Sequence, residues 1–135
     1  MIGLDLEGEE AYAFCLHSSD DRHTTIRVAR TGDWIMLTAW LATGSWFDPW
    51  LGRRKVLRHL TREEWAALIE ALERVDFWSL PENDRRIGLD GETWDVEGMF
   101  GSRRQRISRW CPEDDAIVEL GWLFLHLAWR GVGYG

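Results

Sequence analysis

Residues 61–72 read Thr-Arg-Glu-Glu-Trp-Ala-Ala-Leu-Ile-Glu-Ala-Leu, and this stretch predicts a helix that follows a run of strands. Thr61 and Glu64 have the spacing of a capping box, in which the Thr61 hydroxyl accepts from the Glu64 amide and the Glu64 carboxylate accepts from the Thr61 amide. Pro81 bars any continuation of the element, because proline cannot extend a helix. The apolar residues between these limits recur at helical spacing, at Trp65, Leu68, Ile69, Leu72 and Val75.

Three segments before this helix have the alternation or the apolar content of β-strands, and short polar turns separate them. They are residues 12–17, 24–30 and 34–41, and a shorter strand-like stretch follows at 56–60. The segment 34–41 is apolar on both faces, which predicts a central strand that is covered on each side. We expect the first three segments to form an antiparallel meander.

After the helix the pattern repeats in shorter form. Residues 93–100 alternate, and residues 103–110 follow them with four arginines, so we expect a hairpin with ion pairs across its strands. Pro112 has the character of a first helical residue, and residues 116–129 are apolar almost all round. The sequence therefore predicts a single α+β domain over 1–135. Its antiparallel sheet would have five or six strands in the order βββ-β-α-ββ-α, with two α-helices packed against it.

Composition restricts the class of partner and the location. The 135-residue chain has a formal net charge of −7, which argues against a duplex nucleic-acid binder, since such proteins neutralise phosphates. No apolar run approaches the roughly 20 residues that a membrane span requires. The acidic first ten residues lack the features of a signal peptide, so we expect a cytoplasmic protein.

A pattern in the C-terminal half resembles that of a group of small uncharacterised bacterial proteins. Residues 90–97 read Asp-Gly-Glu-Thr-Trp-Asp-Val-Glu and residues 109–112 read Arg-Trp-Cys-Pro, which gives DGxxWxxE followed by RWxP. The resemblance carries no established activity and implies no catalytic residue. In size, acidity and tryptophan content the chain is also similar in style to immunity proteins, which neutralise bacterial toxins.

Aromatic residues in a polar loop favour a protein-binding function. Residues 46–50, Trp-Phe-Asp-Pro-Trp, would gain little from exposure in a monomer, whereas tryptophan is common at interface hot spots. The alternative is that this loop folds back as a lid on the core of its own chain. From the binding interpretation we predict a non-enzymatic, immunity-type inhibitor that binds another protein, such as a basic toxin domain, and needs no cofactor. The predicted contact residues are Trp46, Phe47, Asp48 and Trp50 as anchors, with Asp20, Asp21 and Glu92 as charge contacts.

The second helix offers another surface. It has more apolar residues than one sheet face can cover, and one stripe consists of Val118, Trp122, Leu125 and Trp129. This stripe is either covered by strands or the first helix, or it mediates self-association of a scaffold subunit as a homodimer.

Two polar constellations admit a different chemistry. Asp95 and Glu97 project from one strand face, as paired carboxylates of a metal-dependent enzyme would, but arginines at 104, 106 and 109 offer them ion pairs instead. Cys15 and His17 also share a face and could approach Cys111 or His59, in imitation of a zinc site. Because nothing in the spacing requires a metal, the sequence predicts no metal site.

Overall fold

The computed structural model describes residues 8–18, 23–42, 53–82, 91–110, 112 and 116–130. These residues form six strands, two α-helices and a short 3₁₀ helix. In chain order the elements are β1 Glu10–Ser18, β2 His23–Thr31, β3 Trp34–Ala42, β4 Arg53–His59, α1 Arg62–Arg74, the 3₁₀ helix Phe77–Ser79, β5 Glu92–Phe100, β6 Arg103–Trp110 and α2 Ala116–Arg130.

All six strands belong to one antiparallel sheet with the order β4-β3-β2-β1-β5-β6. The meander β1 to β4 makes one side of the sheet, and the β5–β6 hairpin adds to the free flank of β1, where Phe14 lies opposite Val96. The predicted α+β fold, with its element order and its six-stranded sheet, is confirmed.

Both helices pack on the same face of this sheet. Phe14 of β1 stacks on Phe124 of α2 with ring centroids 5.9 Å apart, and Tyr12 lies 6.0 Å from Trp65 of α1. These side chains are part of a continuous buried core. The core is built from alternate residues of the strands because successive side chains point to opposite faces of a sheet.

A close approach between β5 and α2 fixes how this second helix lies. Trp94 of β5 packs directly over Gly121, where a Cβ atom would lie 2.5 Å from Cζ3 of the Trp94 ring. The helix can reach this distance because glycine has no side chain.

The start of α1, the end of α2 and strand β4 meet at one carboxylate. Glu64 closes the capping box by accepting from the Thr61 amide at 2.9 Å, and it also accepts from Arg58 and Arg130. Arg58 in turn donates to the carbonyl of Leu127 in α2 at 3.2 Å. The predicted helix cap is therefore also a junction of three elements.

Two local predictions are wrong. Strand β3 is not covered on both sides, because Trp34 and Trp40 on its helix-free face are 61% and 49% exposed. Both α-helices pack on the other face of the sheet, so no described helix covers these two indoles. Pro112 is not helical, and α2 has its first described residue at Ala116.

Candidate functional site

Helix α2 has two apolar faces, of which one is buried in the core and the other is partly exposed. One face enters the core through Ile117, Leu120, Phe124 and Leu127, all buried. The other face carries the predicted stripe Val118, Trp122, Leu125 and Trp129, whose members are four, three and four residues apart. We call these four residues the α2 stripe. Neither described α-helix has the length and apolar character to cross a membrane.

The α2 stripe leaves two indoles in solvent. Trp122 is 61% exposed and Trp129 is 46% exposed, while the aliphatic members Val118 and Leu125 are partly buried. A mainly apolar groove of about 540 Å³ lies along this surface, lined by Trp122, Leu123, Leu125, His126 and Trp129. Val118 and Leu125 pack against the core, and Trp94 of β5 contacts Trp122 with ring centroids 6.4 Å apart, but both indoles of the stripe stay largely exposed. The described strands and α1 therefore cover the stripe only in part.

Charged side chains flank the stripe at both ends. Near the start of α2, Glu119 accepts from Arg74 of α1 at 2.7 Å. At the end of the helix, Arg130 donates to Glu64 at 3.3 Å. The apolar surface is thus bordered by an ion pair at each end, with the exposed His126 in between.

The predicted loop contacts fall largely outside the described residues. Trp46, Phe47, Asp48, Trp50, Asp20 and Asp21 all lie there, so the structure does not test them. Glu92 is described: it is exposed at the start of β5 and accepts from the Trp94 indole at 3.1 Å. One end of each of the other five strands lies at the same end of the sheet as Glu92, namely Ser18, His23, Ala42, Arg53 and Trp110.

A polar cluster lies on the helix-free face at the same end of the sheet. Nδ1 of His17 is 2.6 Å from Nδ1 of His23, and its Nε2 is 3.0 Å from the Cys15 sulfur. Burial raises the pKa of the Cys15 thiol, and burial together with His23 lowers the pKa of His17. The pair is therefore a neutral thiol beside a neutral imidazole, which is not an activated nucleophile.

The approach of His59 to this cluster, which the sequence admitted, does not occur. His59 is on β4, three strands away from β1, and packs against Trp34 with ring centroids 4.3 Å apart. Cys111 lies outside the described residues. Within the described ranges no group of three or more His, Cys, Asp or Glu side chains could hold a metal ion.

The carboxylates of the hairpin face an arginine of the next strand. Glu97 Oε1 is 3.6 Å from Arg106 Nε, and Asp95 Oδ2 is 3.9 Å from the same guanidinium. Burial raises the pKa of Glu97, and Arg106 offsets part of that rise. Asp95 is buried, and its Oδ1 has no hydrogen-bond partner among the described residues. The ion pairs expected across the hairpin are present, with Arg106 as the partner of both acids.

Neither a protein-family model nor a curated protein matches this sequence. The site must therefore be interpreted from its geometry.

The histidine pair is the feature that sequence reasoning missed. Strand alternation predicts that Cys15 and His17 share one face, but this pattern alone does not place His23 beside them. The signal was available, because a hairpin turn after residue 18 places His23 opposite His17, as the structure has it. The Arg58–Glu64–Arg130 junction carries no comparable signal, since it joins residues that are distant in the chain.

Proposed function

We propose that this chain is a protein-binding domain and that the α2 stripe is its contact surface. The observation that carries the proposal is the exposure of two indoles, Trp122 and Trp129, beside one apolar groove. Tryptophan is enriched among the residues that dominate binding energy at protein interfaces. Exposed indoles rimmed by Glu119 and Arg130 have the anatomy of such an interface, with an apolar centre and a charged border.

The role that we propose for this domain is that of an immunity-type inhibitor, which binds a basic toxin domain in the cytoplasm. The net charge of −7 supports it, because an acidic protein attracts a basic partner and accelerates their encounter. The exposed Glu92 belongs to the charge contacts of this proposal, together with the residues predicted in the loops. The aromatic anchors would then hold the complex once it has formed.

The test uses the product of the adjacent gene, since inhibitors are commonly encoded beside what they inhibit. Binding of the two purified proteins is measured by calorimetry with the wild-type chain and with Trp122→Ala combined with Trp129→Ala. We expect the double variant to raise the Kd at least 30-fold, about 2 kcal/mol, because both anchors are lost.

Trp34→Ala combined with Trp40→Ala is the matched control. It also removes two exposed indoles, but from the opposite face of the sheet, and should leave the Kd unchanged. Equal losses in the two double variants would contradict the assignment of the α2 stripe. Absence of any complex with the wild-type chain would contradict the inhibitor role.

A further inference from the structure

We infer that the outer edge of β4 is a second binding site, and that it takes an extended protein segment with acidic and aliphatic side chains. The segment would pair with β4 as a seventh strand of the sheet, in the mode called β-strand addition. The site uses no residue of the α2 stripe, so the inference goes beyond the proposed function and does not depend on it.

The two outer strands of the sheet are β6 and β4, and the edge of β6 is covered by its own chain. The amide of Ser108 donates to the carbonyl of Glu82 at 2.7 Å, and the amide of Arg106 donates to the side-chain oxygen of Gln105 at 3.1 Å. Gln105 also donates to the carbonyl of Leu80 at 2.8 Å, which holds the preceding segment against this strand. The middle of the β6 edge therefore has no amide to offer a further strand.

The edge of β4 has no such cover among the described residues. The register between β3 and β4 runs without a bulge, and the amide of Leu60 donates to the carbonyl of Ile35 at 3.1 Å. Because hydrogen-bonded and non-hydrogen-bonded pairs alternate in an antiparallel ladder, this bond implies that the even-numbered residues of β4 bond to β3. The main-chain groups of Lys55 and Leu57 therefore point outward, and the described part of the chain gives their amides and carbonyls no partner.

The charge of β4 favours an acidic segment. The strand contains four basic residues and no acidic one. Arg58 is already paired with Glu64, whereas Arg54 and Lys55 are exposed and have no ion pair with a described residue. Two copies of this edge would repel each other, since like charges across a strand pair are destabilising, but a strand that carries carboxylates is attracted.

The exposed Leu57 adds an apolar position to this edge. Its side chain is 63% exposed, and it lies opposite Thr38 on the helix-free face, which also presents the indoles of Trp34 and Trp40. Residues directly opposite each other in antiparallel strands share a face, so an aliphatic side chain of the added strand would cover Leu57. The segment that fits best thus has an aliphatic residue opposite Leu57 and a carboxylate opposite Lys55.

Calorimetry with the full chain and the capped peptide Glu-Thr-Ile-Val-Glu-Glu tests the site. In an antiparallel pair the isoleucine lies opposite Leu57, and the last two glutamates lie opposite Lys55 and Arg54. We expect a Kd of about 10 μM to 1 mM, because a short strand gains affinity mainly from main-chain hydrogen bonds. A peptide with lysine in place of each glutamate should bind at least about tenfold more weakly. Absence of binding by the acidic peptide would overturn the inference.

Methylation of the peptide backbone distinguishes strand pairing from general charge attraction. N-methylation of the isoleucine removes an amide that points at β4, so it should abolish binding. N-methylation of the neighbouring valine is the control, because that amide points away from β4 and the Kd should stay within about twofold. Equal effects of the two methyl groups would overturn the proposed pairing.

Charge reversal in the protein locates the site. Arg54→Glu combined with Lys55→Glu should weaken binding of the acidic peptide by about tenfold or more and should let the lysine peptide bind. Arg103→Glu combined with Arg104→Glu is the matched control, since it reverses two consecutive exposed charges on the other outer strand and should bind as the wild type does. Equal losses in the two variants would show that only net charge matters and would overturn the inference.

The double variant of the α2 stripe separates this inference from the proposed function. Trp122→Ala combined with Trp129→Ala should bind the acidic peptide as the wild type does, because the peptide contacts neither indole. Loss of peptide binding in this variant would place the peptide on the α2 stripe and overturn the inference. Failure of the chain to bind the product of the adjacent gene would remove the inhibitor role but leave the peptide result unchanged.

Discussion

At the scale of single residues, His17 is the group whose chemistry differs most from its behaviour in water. It is enclosed by Cys15, His23, Asp95 and Arg106 on four neighbouring strands. Two ring nitrogens 2.6 Å apart can share one proton but cannot both carry one without repulsion. The folded protein therefore keeps His17 neutral at a pH where the unfolded chain is partly charged.

This difference predicts acid sensitivity between neutral and mildly acidic pH. The lowered pKa means that the unfolded chain binds more protons at His17 than the folded one, so the free energy of unfolding decreases as the pH falls below about 6.5. Denaturant titrations of wild type and His17→Gln at a series of pH values should give a shallower dependence in the variant. His126→Gln, at an exposed histidine, should keep the wild-type slope, and an unchanged slope in His17→Gln would contradict the prediction.

Gly121 gives a second prediction at this scale, on whether replacing it with alanine raises or lowers the free energy of unfolding. Helix propensity alone would make Gly121→Ala more stable by about 1 kcal/mol. The new Cβ would however overlap the buried Trp94 ring, so we expect the free energy of unfolding to fall by about 1 kcal/mol or more. Ala67→Gly is the control, because at this exposed position of α1 the change in the free energy of unfolding reports helix propensity alone. A stabilised Gly121→Ala protein would show that Trp94 can move away.

At the scale of elements, α1 and α2 are joined through Glu64 rather than through apolar contacts alone. Burial by itself would raise the pKa of Glu64, but the Thr61 amide and the charges of Arg58 and Arg130 outweigh it and lower the pKa. The carboxylate is thus ionised in the folded protein and is shared by β4 and both helices. The capping box was predictable from the sequence, because it lies within four residues.

Removing this charge should weaken the junction while keeping the cap. In Glu64→Gln the amide oxygen can still accept from the Thr61 amide, but its hydrogen bonds with both arginines lose their ionic partner. We expect the free energy of unfolding to fall by about 1–3 kcal/mol at neutral pH, measured by denaturant titration. Glu63→Gln, one residue earlier and exposed, should change it by less than about 0.5 kcal/mol. If the two variants lowered the free energy of unfolding equally, the role of Glu64 as a junction between β4, α1 and α2 would be contradicted.

At the scale of the whole molecule, local sequence patterns predict the strands and helices but not which of them lie side by side in the sheet. The alternation in residues 93–100 and the capping box at Thr61 identify a strand and a helix from short-range chemistry. The pairing of β5 with β1 and the edge position of β4 depend on contacts between distant segments, for which the sequence carries no local signal. The same reason explains the error at Trp34 and Trp40, since apolar character alone does not show which face of a sheet the helices cover.

The α2 stripe was predictable from helical spacing, since Val118, Trp122, Leu125 and Trp129 must share a face. Whether that face is covered was not predictable, because it depends on where α1 and the sheet lie. The His17–His23 contact is of intermediate predictability, since predicting it requires only the register of the β1–β2 hairpin.

The position of β1 in the sheet has a consequence for synthesis on the ribosome. This strand is synthesised before the other five described strands, yet one of its flanks pairs only with β5, whose last residue is Phe100. Until that residue has been translated, the nascent chain presents an open row of amide and carbonyl groups to whatever is nearby. Such an edge is a site where chaperones can act, and it makes the synthesis of β5 the step that completes the pairing of β1.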